Sequence, residues 1–183
     1  MKTTPLETND PHIHLVEPDV ERDAPISVGW LEGDLGRDTL RLMGVSADEN
    51  KPSSLDQEKE RVRGFIANEN QLNWMISFDG KIVGSVWTDL KATDELPGPS
   101  VHIMIGDPDV RGKGIGTASI KAVIGHLRER DIDTVYSRHL LDNEGSKHLL
   151  DSFGFRNLGE PYSDKDGLKF QNVSLELGTI QHE

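Results

Sequence analysis

The sequence has no cysteine among its 183 residues. This absence excludes a disulfide scaffold, a cysteine-ligated zinc or iron site and a thiol nucleophile. Long apolar runs are also missing, so we expect no segment that spans a membrane. Residues 1–10 lack the apolar stretch of a secretory signal, and we therefore expect a cytoplasmic protein.

Positive charge is scarce, with 20 Lys+Arg against 32 Asp+Glu and a formal net charge of −12. An acidic chain of this kind argues against a nucleic-acid partner and favours a cationic substrate. Residues 111–147 are the exception, because they hold seven basic and five acidic side chains and are rich in glycine. This local excess of positive charge suggests an anionic ligand there.

Hydrophobic periodicity predicts a single domain over residues 1–183. Seven segments have strand character: 12–17, 71–78, 81–89, 100–105, 134–141, 157–162 and 171–177. Helical spacing covers 23–45, with breaks near Gly33 and Gly36, and then 55–70, 115–130 and 144–152. Ser54 and Gln57 form a capping box before the second of these helical regions. The strand–helix–strand unit over 100–141 requires a parallel crossover, whereas the hairpins are antiparallel. We predict an α+β fold whose mixed sheet of about seven strands is flanked by helices.

A glycine-rich loop, IGDPDVRGKGIGTASI over Ile105–Ile120, follows a predicted strand and opens a predicted helix. Glycines let backbone N–H groups approach a phosphate, and a helix N-terminus favours negative charge. The P-loop pattern fails because Gly114, not Ser or Thr, follows Lys113. The dinucleotide pattern G-x-G-x-x-G also fails, because Gly116 follows Gly114 one residue too early. The loop therefore predicts a phosphate or pyrophosphate site of another type.

Arg111, Gly114 and Gly116 satisfy the pattern Arg/Gln-x-x-Gly-x-Gly/Ala, and a second block, NEGSKHLLDSFGF, follows at Asn143–Phe155. With both blocks the sequence resembles the GCN5-related N-acetyltransferase (GNAT) family. The resemblance extends over about residues 71–177, which would form the acetyl-CoA-binding core. It implies the acyl-CoA N-acyltransferase fold, acetyl-CoA as cosubstrate, and no metal.

The resemblance also implies where acetyl-CoA binds. The family separates one strand from its parallel neighbour, so the backbone of Met104, Ile105 and Gly106 would pair with the pantetheine arm, with the N–H near Gly106 as oxyanion donor. The pyrophosphate would lie on the loop residues Arg111, Gly112, Lys113, Gly114, Ile115, Gly116 and Thr117. Asn143 and Lys147 would reach the pantetheine or the 3′-phosphate. Asn143 also suits a helix N-cap, and Lys147 suits a solvated surface.

Direct attack of an amine on the thioester requires a group that removes the amine's proton. His102 is the candidate base, because it precedes Met104 by two residues on the same strand face and members of the family place Glu or His near this position. A purely structural histidine is the alternative. Leu150 stands where many members have a tyrosine acid, which leaves Ser146, Tyr162, Tyr136 or water to protonate the thiolate.

Three functions remain open. The first is acetylation of a primary amine on a small cationic acceptor, such as a polyamine or aminoglycoside. Five carboxylates in segments that line the family's acceptor cleft favour it: Glu32, Asp34, Asp38, Asp94 and Glu95. The second is acetylation of protein N-termini, of the ribosomal-protein type, favoured by Asn143 with Ser146. The third is a non-catalytic CoA-binding module, which Leu150 would permit.

Two further expectations concern metals and assembly. His12 and His14 share a strand face but lack a third ligand, so we predict no metal site. A homodimer is possible because many members of the family dimerise, although no long apolar stripe demands one.

Overall fold

The computed structural model describes residues 3–46 and 51–178. Within these residues, nine strands form one sheet: β1 (Leu6–Glu7), β2 (Ile13–Val16), β3 (Gln71–Phe78), β4 (Lys81–Asp89), β5 (Ser100–Ile105), β6 (Thr134–Leu140), β7 (Arg156–Asn157), β8 (Tyr162–Ser163) and β9 (Lys169–Glu176). The strands lie in the order β1-β2-β3-β4-β5-β6-β9-β7, and β8 also pairs with β9. Only β5 and β6 are parallel. The predicted mixed α+β sheet is confirmed.

Five α-helices accompany the sheet in the described ranges: α1 (Val20–Trp30), α2 (Gly33–Leu42), α3 (Leu55–Ala67), α4 (Ile115–Arg128) and α5 (Glu144–Ser152). The predicted capping box at the start of α3 is present, with Ser54 Oγ accepting from Gln57 N and Gln57 Oε1 accepting from Ser54 N. None of these helices is long and apolar enough to cross a membrane.

Helices cover both faces of the sheet. Adjacent residues of a strand point to opposite faces, and on β3 the Asn73 amide donates to Phe65 O of α3, whereas the Trp74 ring contacts His126 of α4. α3 and α4 therefore lie on opposite sides. The main apolar core forms on the α4 side, where Ile120, Val123 and Leu127 are fully buried.

The parallel pair β5–β6 separates after its first residues. Ser100 and Tyr136 are its one register pair. Near this pair, Tyr136 N donates to Pro99 O at 2.8 Å, and Ser137 Oγ donates to Val101 O at 2.8 Å. Beyond this point the two strands diverge, as the resemblance to the GNAT family implied, and the gap between them opens a cleft.

Some element boundaries differ from the prediction. The strand expected over 157–162 is wrong, because only the short β7 and β8 pair with β9 there. Gly159 has φ +71°, and Pro161 has no N–H to donate, so this segment cannot continue a ladder. α1 begins at Val20, earlier than the expected Asp23, because Asp19 caps it.

The break between α1 and α2 lies just before Gly33, close to the predicted position. Gly36 approaches the backbone of Leu31 so closely that a Cβ there would lie 2.1 Å from the Leu31 carbonyl carbon. The predicted domain 1–183 includes residues 1–2, 47–50 and 179–183, which lie outside the described residues, and stays a prediction.

Candidate active site

A cleft of about 810 Å³ occupies the gap between β5 and β6. Both strands wall it, together with β4, β9, the C-terminal half of α2, the glycine-rich loop with the start of α4, and α5. The glycine-rich loop, the second sequence block and His102 all reach this one cleft.

The backbone of β5 presents alternate residues to the cleft. Gly106 N donates to Val83 O of β4 at 2.9 Å, whereas Val101 O and Ile105 O accept bonds from the opposite side. Because successive residues of a strand direct their N–H and C=O groups to opposite edges, Met104 shares the β4 side with Gly106. The oxyanion role expected for the Gly106 N–H is therefore wrong: that N–H is already bonded within the sheet. The backbone of Ile103 and Ile105 faces the cleft instead.

Gly106 has a packing role in this structure. A Cβ on it would lie 2.1 Å from Cδ2 of Trp30, which is buried. Only glycine lets the indole at the end of α1 lie directly on the end of β5.

The glycine-rich loop forms an N–H cradle at the start of α4. Gly112 and Gly114 have φ values of +77° and +79°, which L side chains rarely adopt. The first bond of the helix runs from Ala118 N to Gly114 O, and Gly114 has no side chain to cap the helix. The three N–H groups before Ala118, those of Ile115, Gly116 and Thr117 in the first turn of α4, have no acceptor in the described part of the chain. This arrangement suits a phosphate oxygen.

Of the cations in that loop, Arg111 lines the cleft. Its Nε donates to Ile105 O at 3.1 Å, and its Nη2 donates to Thr39 Oγ1 of α2 at 2.9 Å. The guanidinium therefore joins α2 to the end of β5.

The second sequence block forms the opposite rim of the cleft. Asn143 caps α5, with its Oδ1 accepting from Ser146 N at 3.0 Å, and its Nδ2 donates to Leu42 O of α2 at 3.3 Å. Both ends of the amide are thus engaged. Ser146 lines the cleft, whereas Lys147 is exposed and does not.

His102 lies in the cleft wall beside a carboxylate that the sequence analysis did not single out. Its Nε2 is 3.3 Å from Asp89 Oδ2 and 3.0 Å from Ser100 Oγ. Its ring stacks on Trp87, with centroids 5.3 Å apart and planes 19° apart. Burial by itself raises the pKa of Asp89, but hydrogen bonds from His102 and Gln71 and the charge of His102 outweigh it, so this pKa is below its ordinary value.

Of the side chains predicted to protonate the thiolate, some line the cleft and others do not. Tyr162 and Tyr136 do not line it. The Tyr162 hydroxyl donates to Asn172 Oδ1 at 3.1 Å. Leu150, which stands at the family's tyrosine position, is buried in the core. Ser146 is the one proposed side-chain acid that the cleft contains.

The five carboxylates expected around the acceptor lie outside the lining of this cleft in the described residues. Asp34 and Asp38 pair with Arg37 and Arg41 of their own helix. The carboxylate that does line the cleft is Asp89. Arg138, on the facing strand β6, also lines it, and neither residue was predicted from the sequence.

The two N-terminal histidines pair with single carboxylates. His12 Nδ1 is 2.6 Å from Asp79 Oδ1, and His14 Nδ1 is 2.8 Å from Glu7 Oε2. No group of three or more metal-ligating side chains occurs in residues 3–46 and 51–178.

Comparison with known proteins agrees with this geometry. Residues 36–156, well over half of the chain, match the acetyltransferase (GNAT) domain family. The chain belongs to the GNAT family. The matched range includes both the glycine-rich loop and the second sequence block.

Individual relatives are distant. A mycothiol acetyltransferase of Propionibacterium freudenreichii subsp. shermanii is 38% identical over 56 residues, which cover 31% of this chain. The chain spans only 18% of that relative's length in this match.

Solved structures show the same fold at low identity. The microcin C7 self-immunity acetyltransferase MccE, in complex with acetyl-CoA and AMP, has a TM-score of 0.73 and 17% identity, over 91% of this chain and 93% of that one. The ribosomal L7/L12 α-N-protein acetyltransferase RimL, in complex with coenzyme A, has a TM-score of 0.74 and 14% identity, over 94% and 97%.

Proposed function

We propose that this acetyltransferase moves the acetyl group of acetyl-CoA to the primary amine of a small acceptor, and that His102 with Asp89 accepts the amine's proton. The observation that carries the proposal is the 3.3 Å approach of Asp89 Oδ2 to His102 Nε2 in the wall of the cleft, where β5 and β6 diverge.

The residues of this chain fit acetyl-CoA. The free N–H groups at the start of α4 and the two αL glycines would hold the pyrophosphate, with Arg111 and Lys113 adding positive charge. The backbone of Ile103 and Ile105 would pair with the pantetheine arm as an added strand would. Asn143 would act through the position of α5, because its amide already caps that helix.

Proton removal needs a lone pair on the His102 ring. Because Nε2 lies within reach of both Asp89 and Ser100, we assign the ring proton to Nε2. Nδ1 is then the basic nitrogen that takes a proton from the acceptor ammonium. Asp89 stabilises the imidazolium that results.

The bound cosubstrate supplies a thioester, and attack by the amine forms the N–C bond while the C–S bond breaks. The attacking nitrogen must then lose its second proton to become an amide, and the departing thiolate must gain one; the Ser146 hydroxyl or water would relay this proton from the nitrogen to the sulfur. The products are an acetamide and coenzyme A.

The size of the cleft favours a small acceptor. About 810 Å³ must hold both the pantetheine arm and the acceptor, a volume typical of small-molecule sites. Polyamines and aminoglycosides are amines of this kind. Acetylation of protein N-termini is the second candidate, and the presence of Ser146 in the cleft favours it.

The test is release of coenzyme A, measured with a thiol reagent, across small amines and N-terminal peptides. The chain has no cysteine that would react with the reagent. We expect release with small amines. Release with peptides alone would replace the first candidate by the second, and no amine-dependent release at all would overturn the proposal.

A further inference from the structure

Arg138 lies opposite His102 in the cleft. The parallel strands pair at Ser100 and Tyr136, and His102 and Arg138 each follow two residues later. Residues two apart on a strand share a face, so both side chains stand on the same face of the sheet, on the two strands that diverge. Both line the cleft. One wall therefore carries the imidazole and the other a guanidinium.

Neighbouring side chains fix the position of the Arg138 guanidinium. Its Cζ lies 4.4 Å from the centroid of the Phe170 ring, and its Nη1 donates to the Tyr162 hydroxyl at 3.3 Å. Asn172 braces this group, because its Oδ1 accepts from Tyr162 and its Nδ2 donates to Glu95 O. A guanidinium fixed in this way loses little conformational entropy when it binds a ligand.

Most N–H donors of Arg138 remain unused. Nη2 is 3.7 Å from Glu95 Oε1, beyond hydrogen-bond distance, and Nε has no acceptor in the described part of the chain. The side chain is 24% exposed and Glu95 is 46% exposed, so Glu95 offsets the positive charge only partly. A half-buried guanidinium with free donors is a site for a carboxylate.

We propose that Arg138 binds a carboxylate of the acceptor, so that the acceptor is an amino acid or another small amine with a carboxylate a few bonds away. This inference rests on the proposed function and narrows its substrate class. The amine would reach His102 on one wall while the carboxylate meets Arg138 on the other. A polyamine would place positive charge against Arg138 and lose affinity.

Matched acceptor pairs test the proposal. Each pair consists of an amino acid and its α-amide, with simple amines and polyamines alongside, and coenzyme A release gives kcat and KM for each. The amide has the less basic amine, so intrinsic chemistry favours the amide at neutral pH. We expect the wild type to prefer the amino acid by about tenfold or more in kcat/KM, the gain typical of a charged hydrogen bond.

Two substitutions locate the preference. Arg138→Gln removes the charge, and we expect it to raise the KM for amino acids about tenfold or more while the amides change little. Arg138→Lys keeps the positive charge but loses the paired N–H donors of the guanidinium, so its KM for amino acids should lie between those of the wild type and Arg138→Gln. Arg156→Gln, at an exposed arginine of β7, is the control and should match the wild type. A melting temperature and a coenzyme A Kd equal to the wild-type values would show that each variant is folded.

Equal kcat/KM for amino acids and amides in the wild type would overturn the inference and leave the proposed function intact. Equal loss on both acceptors in Arg138→Gln, with wild-type stability, would also overturn it. Failure of every acceptor, simple amines included, would instead overturn the proposed function.

Discussion

Asp89 and His102 are 13 positions apart in sequence, yet Oδ2 of one lies 3.3 Å from Nε2 of the other. The antiparallel pairing of β4 with β5 brings them together, because Asp89 pairs with Ser100 and Trp87 pairs with His102. The carboxylate thus contacts the imidazole diagonally across two strands, and the Trp87 ring holds the imidazole plane. This relationship gives His102 an orienting partner.

The acid stability of the protein reports on Asp89. Its pKa in the folded state is below the unfolded value of about 3.9. A lowered carboxylate pKa stabilises the fold above the unfolded value, and this stabilisation is lost as the pH falls through the folded value. We therefore expect Asp89→Asn to be less stable than the wild type near pH 7, with the gap narrowing from about pH 5 downward.

Urea unfolding of both proteins at a series of pH values measures this gap. Asp151→Asn, at an exposed aspartate of α5, is the control and should follow the wild-type curve. A gap between Asp89→Asn and the wild type that stays constant down to pH 2 would contradict the account of Asp89.

The αL backbone at Gly114 is required for the N–H cradle. Gly114→Ala meets no neighbouring atom, so its effect comes from the φ of +79° and should be about 1–2 kcal/mol. We expect coenzyme A binding, measured by calorimetry, to weaken about tenfold, because this strain disfavours the binding conformation.

Gly125→Ala is the matched control on the same helix, also in open space but with ordinary helical φ. It should leave binding unchanged and add about 0.5–1 kcal/mol of stability. Equal binding by wild type and Gly114→Ala would show that the loop conformation does not matter to the coenzyme.

If the proposed coenzyme site is right, Thr39 would compete with the coenzyme's pyrophosphate for Arg111. Its Oγ1 accepts the Arg111 Nη2–H at 2.9 Å, a bond that must break if the guanidinium is to reach the pyrophosphate. Thr39→Val removes this acceptor without changing the shape of the side chain. We expect coenzyme A to bind about threefold to tenfold more tightly. Thr39→Ser keeps the hydroxyl and should bind coenzyme A like the wild type. Weaker binding of coenzyme A by Thr39→Val would contradict this account and would mean that Arg111 keeps its contact with Thr39 when the coenzyme is bound.

The sequence predicted those parts of the site that local chemistry determines. The turn at Gly112 and Gly114 needs positive φ, and a helix must follow it, so the anion cradle was predictable from a dozen residues. Asn143 was equally recognisable as a helix cap. The order of strands and helices followed from their periodicity.

Contacts between distant segments were not predictable in this way. Asp89 seemed only the end of a strand, and Arg138 one polar position in another, until the register of β4, β5 and β6 placed both in the cleft. The direction of the Gly106 N–H depends on the same register, since a shift of one residue exchanges the two edges of a strand. The acidic residues of α2 face arginines of their own helix, which composition alone did not reveal.

The most direct test of the Asp89–His102 pair is the pH dependence of kcat/KM, measured with an amine that the wild type acetylates, in the wild type, His102→Ala and Asp89→Asn. We expect His102→Ala to lower the rate about 100-fold and to flatten the profile near neutral pH, because it removes the proton acceptor. Asp89→Asn should lower kcat/KM as well, because the imidazolium loses its stabilising charge. Wild-type rates and profiles in both variants would contradict the role of the Asp89–His102 pair.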